Sequence, residues 1–278
     1  MNALEIANLR KERKDFVLDI DRLVLPGGCI MGLIGENGAG KSTTIQLILG
    51  SLKRDGGTVS VLGTDDVALV KQDLGVVLDE VGFPEFLTAV QIGRIMADIF
   101  TNWDQPLYES YLSRLSLPEK KPFKEFSKGM KMKTGIAVAL SHHPKLLLLD
   151  EATSGLDPVV RDELLDIFAD FARDENHSIL ISSHIVSDLE KICDYIAFLH
   201  KGRLMLCEEK DALREGYGIW RGKSEDLDML PAEAIYGKRV TSYGAEALVR
   251  RDLVPDGLPL GAVTIEELFI FMAKEDRA

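Results

Sequence analysis

Residues 35–43 read Gly-Glu-Asn-Gly-Ala-Gly-Lys-Ser-Thr, a match to G-x-x-x-x-G-K-[ST], and this segment restricts the fold more than any other in the chain. It follows the β-rich run 30–34 and precedes a helical pattern over 42–49, so it joins a strand to a helix. Gly35, Gly38 and Gly40 let the backbone of Glu36, Asn37 and Ala39 curl until its N–H groups converge on one point. A helix N-terminus adds a positive partial charge there, which together makes a cradle for phosphate oxygens. In such a loop Lys41 is placed to hold the β- and γ-phosphates of a nucleotide. Ser42, followed by Thr43, is placed to ligate Mg²⁺.

Around this loop, short β-rich runs alternate with longer helical patterns, which predicts an α/β fold. Strands are expected over 4–7, 16–25, 30–34, 58–61, 75–78, 146–149, 179–182 and 195–199. Helices are expected after Gly40, within 88–100 and 105–115, from near Gly129, and over 158–171. In the last of these Val160, Leu164, Ile167, Phe168 and Phe171 share one helical stripe. Asp157 before Pro158 gives it a cap and a preset first turn. Between about 86 and 142 helical patterns replace strands, so a helical subdomain is expected inside the α/β domain. That domain is expected over 1–208. A small α+β appendage is expected over 209–278, with short runs at 219–221, 238–241 and 247–249 before an amphipathic helix near 265–273.

The run Leu146-Leu147-Leu148-Leu149 is apolar at every position, as suits a strand covered on both faces, and it ends in Asp150-Glu151. Two acids at the carboxyl end of such a strand stand beside the phosphate loop. Asp150 is placed to bind Mg²⁺ directly or through water, and Glu151 to polarise an attacking water.

With Phe126-Ser127-Lys128-Gly129-Met130, Ser154-Gly155-Leu156-Asp157 and Ser182-Ser183-His184, these motifs resemble the ABC ATPase family in order and spacing, over residues 1 to about 208. No Asn-Lys-x-Asp motif is present, which argues against a GTPase. The resemblance implies a P-loop NTPase core with an antiparallel β subdomain and a helical subdomain, using ATP and Mg²⁺. It also implies a head-to-tail dimer in which each ATP is sandwiched between one subunit's phosphate loop and the other's signature loop. Ser127 and Gly129 match that signature, which usually reads Leu-Ser-Gly-Gly-Gln, while Phe126, Lys128 and Met130 depart from it. Asp157 matches the residue linking the two sites across the dimer, and His184 the histidine that contacts the γ-phosphate and attacking water. The catalytic set is then Lys41, Glu151 and His184. Where the family has a metal-sensing glutamine, this chain has Asp79, followed by Glu80; an aspartate can still reach Mg²⁺ or its water. For the aromatic that stacks on adenine the candidates are Arg13 and Phe16, and Phe16 is preferred because it opens the run leading to the phosphate loop. Ala152 replaces the proline that usually follows Asp-Glu. The signature segment, Asp79-Glu80 and Ser154–Arg161 look like those of bacterial exporters whose ATPase and permease are separate chains.

The remaining features fit that expectation. No apolar run reaches the roughly 18 residues that suggest a membrane span. Glu5, Arg10, Lys11 and Glu12 argue against a secretory leader, so the expected location is the cytoplasm, at the inner face of the cell membrane through the permease. The net charge of −12 argues against a nucleic-acid partner. Cys29, Cys193 and Cys207 form no CxxC pair and read as reduced structural thiols. The expected partners are a multi-span permease and either a second copy or a paralogous ATPase. Phe83, Phe86 and Leu87 are candidate permease contacts. The alternative, an ABC-type ATPase acting on nucleic acid or ribosomes without a membrane partner, tends to carry two cassettes or long coiled coils; this chain shows one cassette and no sustained heptads.

Overall fold

The computed structural model describes residues 1–242, 244–255 and 257–275. The chain opens with a long antiparallel pair, β1 (Asn2–Arg13) and β2 (Phe16–Pro26), whose alternating burial turns one face to the core. β3 (Ile30–Ile34) leads through the glycine loop into α1 (Lys41–Ile48), and β4 (Gly56–Val61) returns antiparallel to β1. β5 (Leu74–Val77) is followed by three helices, α2 (Ala89–Ile99), α3 (Gln105–Arg114) and α4 (Lys128–Leu140). Then come β6 (Leu146–Asp150), α5 (Pro158–Phe171), β7 (Ser178–Ser183), α6 (Val186–Ile192), β8 (Tyr195–His200) and β9 (Arg203–Glu209). The last part holds α7 (Lys210–Gly216), β10 (Tyr217–Gly222), β11 (Ile235–Thr241), β12 (Gly244–Arg250) and α8 (Ile265–Glu275).

Nine strands form one mixed sheet in the order β4-β1-β2-β9-β8-β3-β7-β6-β5. The five strands from β8 to β5 run parallel, and β3, β6 and β7 are buried at every residue, as expected where helices cover both faces. Alternate side chains divide between two apolar layers. Ile30, Leu147, Ile179 and Phe198 face α4, α5 and α6, whereas Met31, Leu148, Leu180 and Leu199 face α1 and the β1–β2 pair.

Local sequence explains the helix starts. Thr88 and Gln91 form a reciprocal capping box at α2, and Asp104 caps α3 just before its Pro106. Ser127 caps α4 and Asp157 caps α5.

Three elements, β9, α6 and α7, were absent from the sequence expectation. β9 is half-exposed along most of its length, and α6 and α7 have seven residues each, too few to display a helical period. β10, β12 and β11 make a separate antiparallel sheet with α8 packed against it. This part shares the main core: Phe269 lies 5.2 Å from the Phe198 ring, and Ile219, Leu248, Ile265 and Leu268 join the layer under α6. The expected 208/209 boundary falls at the last residue of β9.

Candidate functional site

Parallel registration gathers the site. Ile34 at the end of β3 pairs with Ser183 of β7, and Asp150 at the end of β6 pairs with Ser182, so the glycine loop, Asp150-Glu151 and His184 leave one edge of the sheet side by side. Gly35 permits the first close approach, because a Cβ there would lie 2.5 Å from the Leu199 carbonyl oxygen. Gly40 turns the chain into α1 at φ 111, a region that favours glycine. It offers no side chain to cap α1, which leaves the first-turn N–H groups for an external anion. The loop is braced from behind: Thr44 Oγ1 donates to Gly40 O (2.9 Å) and Gly202 N–H to Ala39 O (3.0 Å).

Lys41 is buried, and its ammonium donates to Gly35 O (2.7 Å) and Glu36 O (3.3 Å). It also lies 3.0 Å from Glu151 Oε1, while Glu151 Oε2 lies 2.8 Å from His184 Nδ1. The buried Glu151 carboxylate thus joins the phosphate loop to the residue after β7, with a cation compensating its burial. Glu151 adopts φ 51, an uncommon left-handed conformation for a residue with a side chain. Ser182 holds this acidic pair in place. Its hydroxyl donates to Asp150 Oδ1 (2.6 Å) and accepts the Glu151 N–H (3.2 Å), with Ser182 O also accepting that N–H at 3.1 Å.

Asp150 is 5% exposed, whereas Ser42 is exposed at the α1 start. One carboxylate and one hydroxyl suit Mg²⁺, which takes few protein ligands and completes its octahedron with phosphate oxygens and water. Among the described residues no group of three or more His, Cys, Asp or Glu forms a self-sufficient metal cage. Asp79, the third expected metal residue, is engaged elsewhere: its carboxylate lies 3.3 Å from Lys128 Nζ.

Ser127 and Asp157 sit exposed at neighbouring helix starts. Ser127 Oγ accepts the Met130 N–H (3.2 Å), and Asp157 Oδ1 accepts those of Val159 (3.2 Å) and Val160 (3.0 Å). Gly129 faces the same place, since a Cβ on it would lie 3.6 Å from Val160 Cγ1. None of the three is hydrogen-bonded to Lys41, Glu151 or His184. On the other flank Phe16 borders a cleft of about 500 Å³ shared with Arg10, Asp19, Gly38, Lys201 and Arg203, and its ring abuts Gly40. Arg13 does not line this cleft. Sequence reasoning assigned no role to Ser182; the available signal was a serine pair, Ser182-Ser183, ending a fully buried strand.

Comparison with known proteins agrees with this geometry. A family model for ABC transporters matches residues 18–154. The lantibiotic transport ATP-binding protein SrtF of Streptococcus pyogenes is 35% identical over 214 residues, covering 75% of this chain and 91% of SrtF. The bacitracin transport ATP-binding protein BcrA of Bacillus licheniformis is 38% identical over 183 residues, covering 64% of this chain and 60% of BcrA. A solved structure of the ATP-binding subunit of an ABC transporter superposes with a TM-score of 0.68 at 30% identity, covering 76% of this chain and 92% of that one. The fold is therefore a P-loop NTPase core with a mixed sheet, a helical subdomain and a small C-terminal α+β region. The chain belongs to the ATP-binding subunits of ABC transporters.

Proposed function

We propose that this chain hydrolyses ATP at the Lys41–Glu151–His184 edge and drives export through a separate membrane permease. The observation that carries the reading is the bridge in which one buried carboxylate touches both the phosphate-loop lysine and His184. Lys41 and the N–H groups of the loop and first turn of α1 bind the phosphates. Glu151 accepts a proton from the attacking water, and His184 orients Glu151 and the γ-phosphate. Ser182 keeps Asp150 and Glu151 in register. Ser42 and Asp150 would hold Mg²⁺, with Asp79 as its sensor, and the ion would supply neutralisation of phosphate charge. Phe16 stacks on adenine, a contact of modest and base-tolerant strength.

Ser127 and Asp157 stand exposed beside a partly exposed Gly129, and none of the three makes a hydrogen bond to its own chain's catalytic group. This supports a head-to-tail dimer in which they complete a partner's site. The permease contact is assigned to the helical side. Phe86 is 75% exposed, while Phe83 and Leu87 pack against the core. A second apolar feature lies nearby in sequence, a cleft of about 380 Å³ between Val67, Val76, Ile99, Phe100 and Val138. The names of SrtF, a lantibiotic transport ATP-binding protein, and BcrA, a bacitracin transport ATP-binding protein, support transport of cargo of that kind.

The test is turnover by the Glu151→Gln variant. It is expected to bind ATP with near wild-type affinity and to lose at least about 100-fold in kcat, the usual contribution of a positioned base. Normal turnover by this variant would remove Glu151 from the mechanism.

A further inference from the structure

Arg161, in the first turn of α5, reaches two other segments from one edge of its guanidinium. Nη2 donates to the Leu156 carbonyl oxygen (3.3 Å), and Nε lies 3.7 Å from Asp188 Oδ2 in α6. The Asp188 side chain is only 7% exposed, and among the described residues Arg161 is the one cation within ion-pair distance of it. At 3.7 Å the contact is a charge pair rather than a hydrogen bond, and neither Nε nor Oδ2 has a hydrogen-bond partner elsewhere in the protein. The two buried charges therefore depend on each other. A second pair, Lys191 with Asp162, also joins α6 to α5, but it lies on the solvent side, with side chains 52% and 62% exposed.

Both partners of Arg161 lead back to the catalytic carboxylate. Leu156 belongs to the 154–157 loop, which the Ser154 N–H ties to Glu151 O (2.9 Å). The Asp188 N–H donates to Ile185 O (3.3 Å) and the Ile185 N–H to Ser183 Oγ (2.9 Å), so the residues on either side of His184 are tethered. His184 Nδ1 in turn lies 2.8 Å from Glu151 Oε2. These contacts close a ring that runs from Glu151 through the 154–157 loop, Arg161, Asp188 and His184 back to Glu151. We propose that Arg161 is a positioning residue for ATP hydrolysis: through Asp188 it holds His184 in register with the 154–157 loop and so with Glu151. This rests on the catalytic roles of Glu151 and His184 proposed above. Arg161 itself makes no hydrogen bond or ion pair with Lys41, Glu151 or His184. Its loss therefore acts through His184 and slows the chemical step, while Lys41 and the phosphate loop still bind ATP.

The proposal is tested by steady-state ATPase kinetics of the full-length protein, with thermal melting of each variant. Arg161→Met leaves Asp188 buried without its countercharge, so its melting temperature is expected to fall. Its kcat is expected to drop about tenfold with KM for ATP within about twofold of wild type, as when a catalytic group is misplaced by a fraction of an ångström. Asp188→Asn is expected to lower kcat as well, and the two losses do not add in the double variant because both break one link. That double variant, Arg161→Met with Asp188→Asn, separates fold from function. It carries no unpaired buried charge, so its melting temperature is expected to recover towards wild type while kcat stays about tenfold low. Lys191→Met breaks the exposed pair between the same two helices and is expected to leave kcat unchanged.

A double variant whose kcat recovers together with its melting temperature overturns the proposal, because Arg161 then only stabilises the fold. So does a raised KM with unchanged kcat in Arg161→Met, or an equal loss of kcat in Lys191→Met, which would mark general loosening between α5 and α6. If His184→Ala and Glu151→Gln both lose turnover and Arg161→Met does not, Arg161 alone is removed from the account. If either of those two variants turns over normally, the catalytic reading fails first and the positioning role falls with it.

Discussion

Ser182 shows how much of the site depends on a residue without chemistry of its own. Its hydroxyl is shared between Asp150 Oδ1 and the Glu151 N–H, and both partners are buried. Ser182→Ala leaves the carboxylate short of one donor, so stability is expected to fall by about 1–3 kcal/mol. kcat is expected to fall by roughly tenfold with a smaller change in KM for ATP, since the phosphate loop is untouched. Urea unfolding and steady-state ATPase assays check the two parts; a drop in KM-related binding with kcat preserved would contradict the assigned role. The types of the reactive residues were legible from the motif spacing, because a phosphate loop, a strand ending in two acids and a histidine after the next strand are local patterns. Their contacts were not. The Lys41–Glu151 ion pair and the left-handed turn at Glu151 arise only when β3, β6 and β7 are registered. Likewise Asp79 and Lys128 are 49 residues apart, and nothing in either segment names the other.

Among the elements, those with strong caps or full apolar runs were readable, and the half-exposed or very short ones were not. Capped α5 and buried β3 occupy their expected bounds, while β9 shows neither signal. Packing between elements adds a pH dependence. His142, just beyond α4, stacks on Phe100 at the end of α2 with centroids 3.9 Å apart, and its Nε2 lies 3.0 Å from the Leu74 carbonyl oxygen at the start of β5. Burial pushes its pKa below the ordinary 6.5, and the carbonyls of Leu74 and Val138 only partly oppose this. The unfolded chain therefore binds more protons than the folded one as pH drops through 6.5. The stability associated with neutral His142 is complete above that value and declines below it. The urea midpoint of the wild-type protein is expected to fall between pH 7.5 and 5.5 by more than that of His142→Leu. Equal slopes would contradict a neutral, desolvated histidine at this junction.

Across the whole molecule, the C-terminal part is built into the core, with Phe269 on Phe198 and α8 against β11, so it is expected to unfold together with the ATPase core. Exposed apolar side chains outside that part behave differently. Leu69 is 75% exposed and Ile99 53%, and Ile99 borders the apolar cleft with Val67, Val76, Phe100 and Val138, a second candidate for the permease contact. Replacing both with Asp touches little of the packed interior and is expected to leave stability within about 1 kcal/mol and solution ATPase near wild type. Co-purification with the permease from membranes is expected to be lost. Full retention of the complex would place the contact elsewhere, with Phe86 the next candidate.

The proposed two-chain site is tested most directly by sedimentation of the purified Glu151→Gln protein with and without Mg²⁺-ATP. The expected result is an ATP-dependent dimer holding one nucleotide per chain, which Ser127→Arg abolishes while leaving ATP bound. A protein that stays monomeric at saturating ATP, or dimerises equally well with Ser127→Arg, would contradict a phosphate shared between Lys41 of one chain and Ser127 of another.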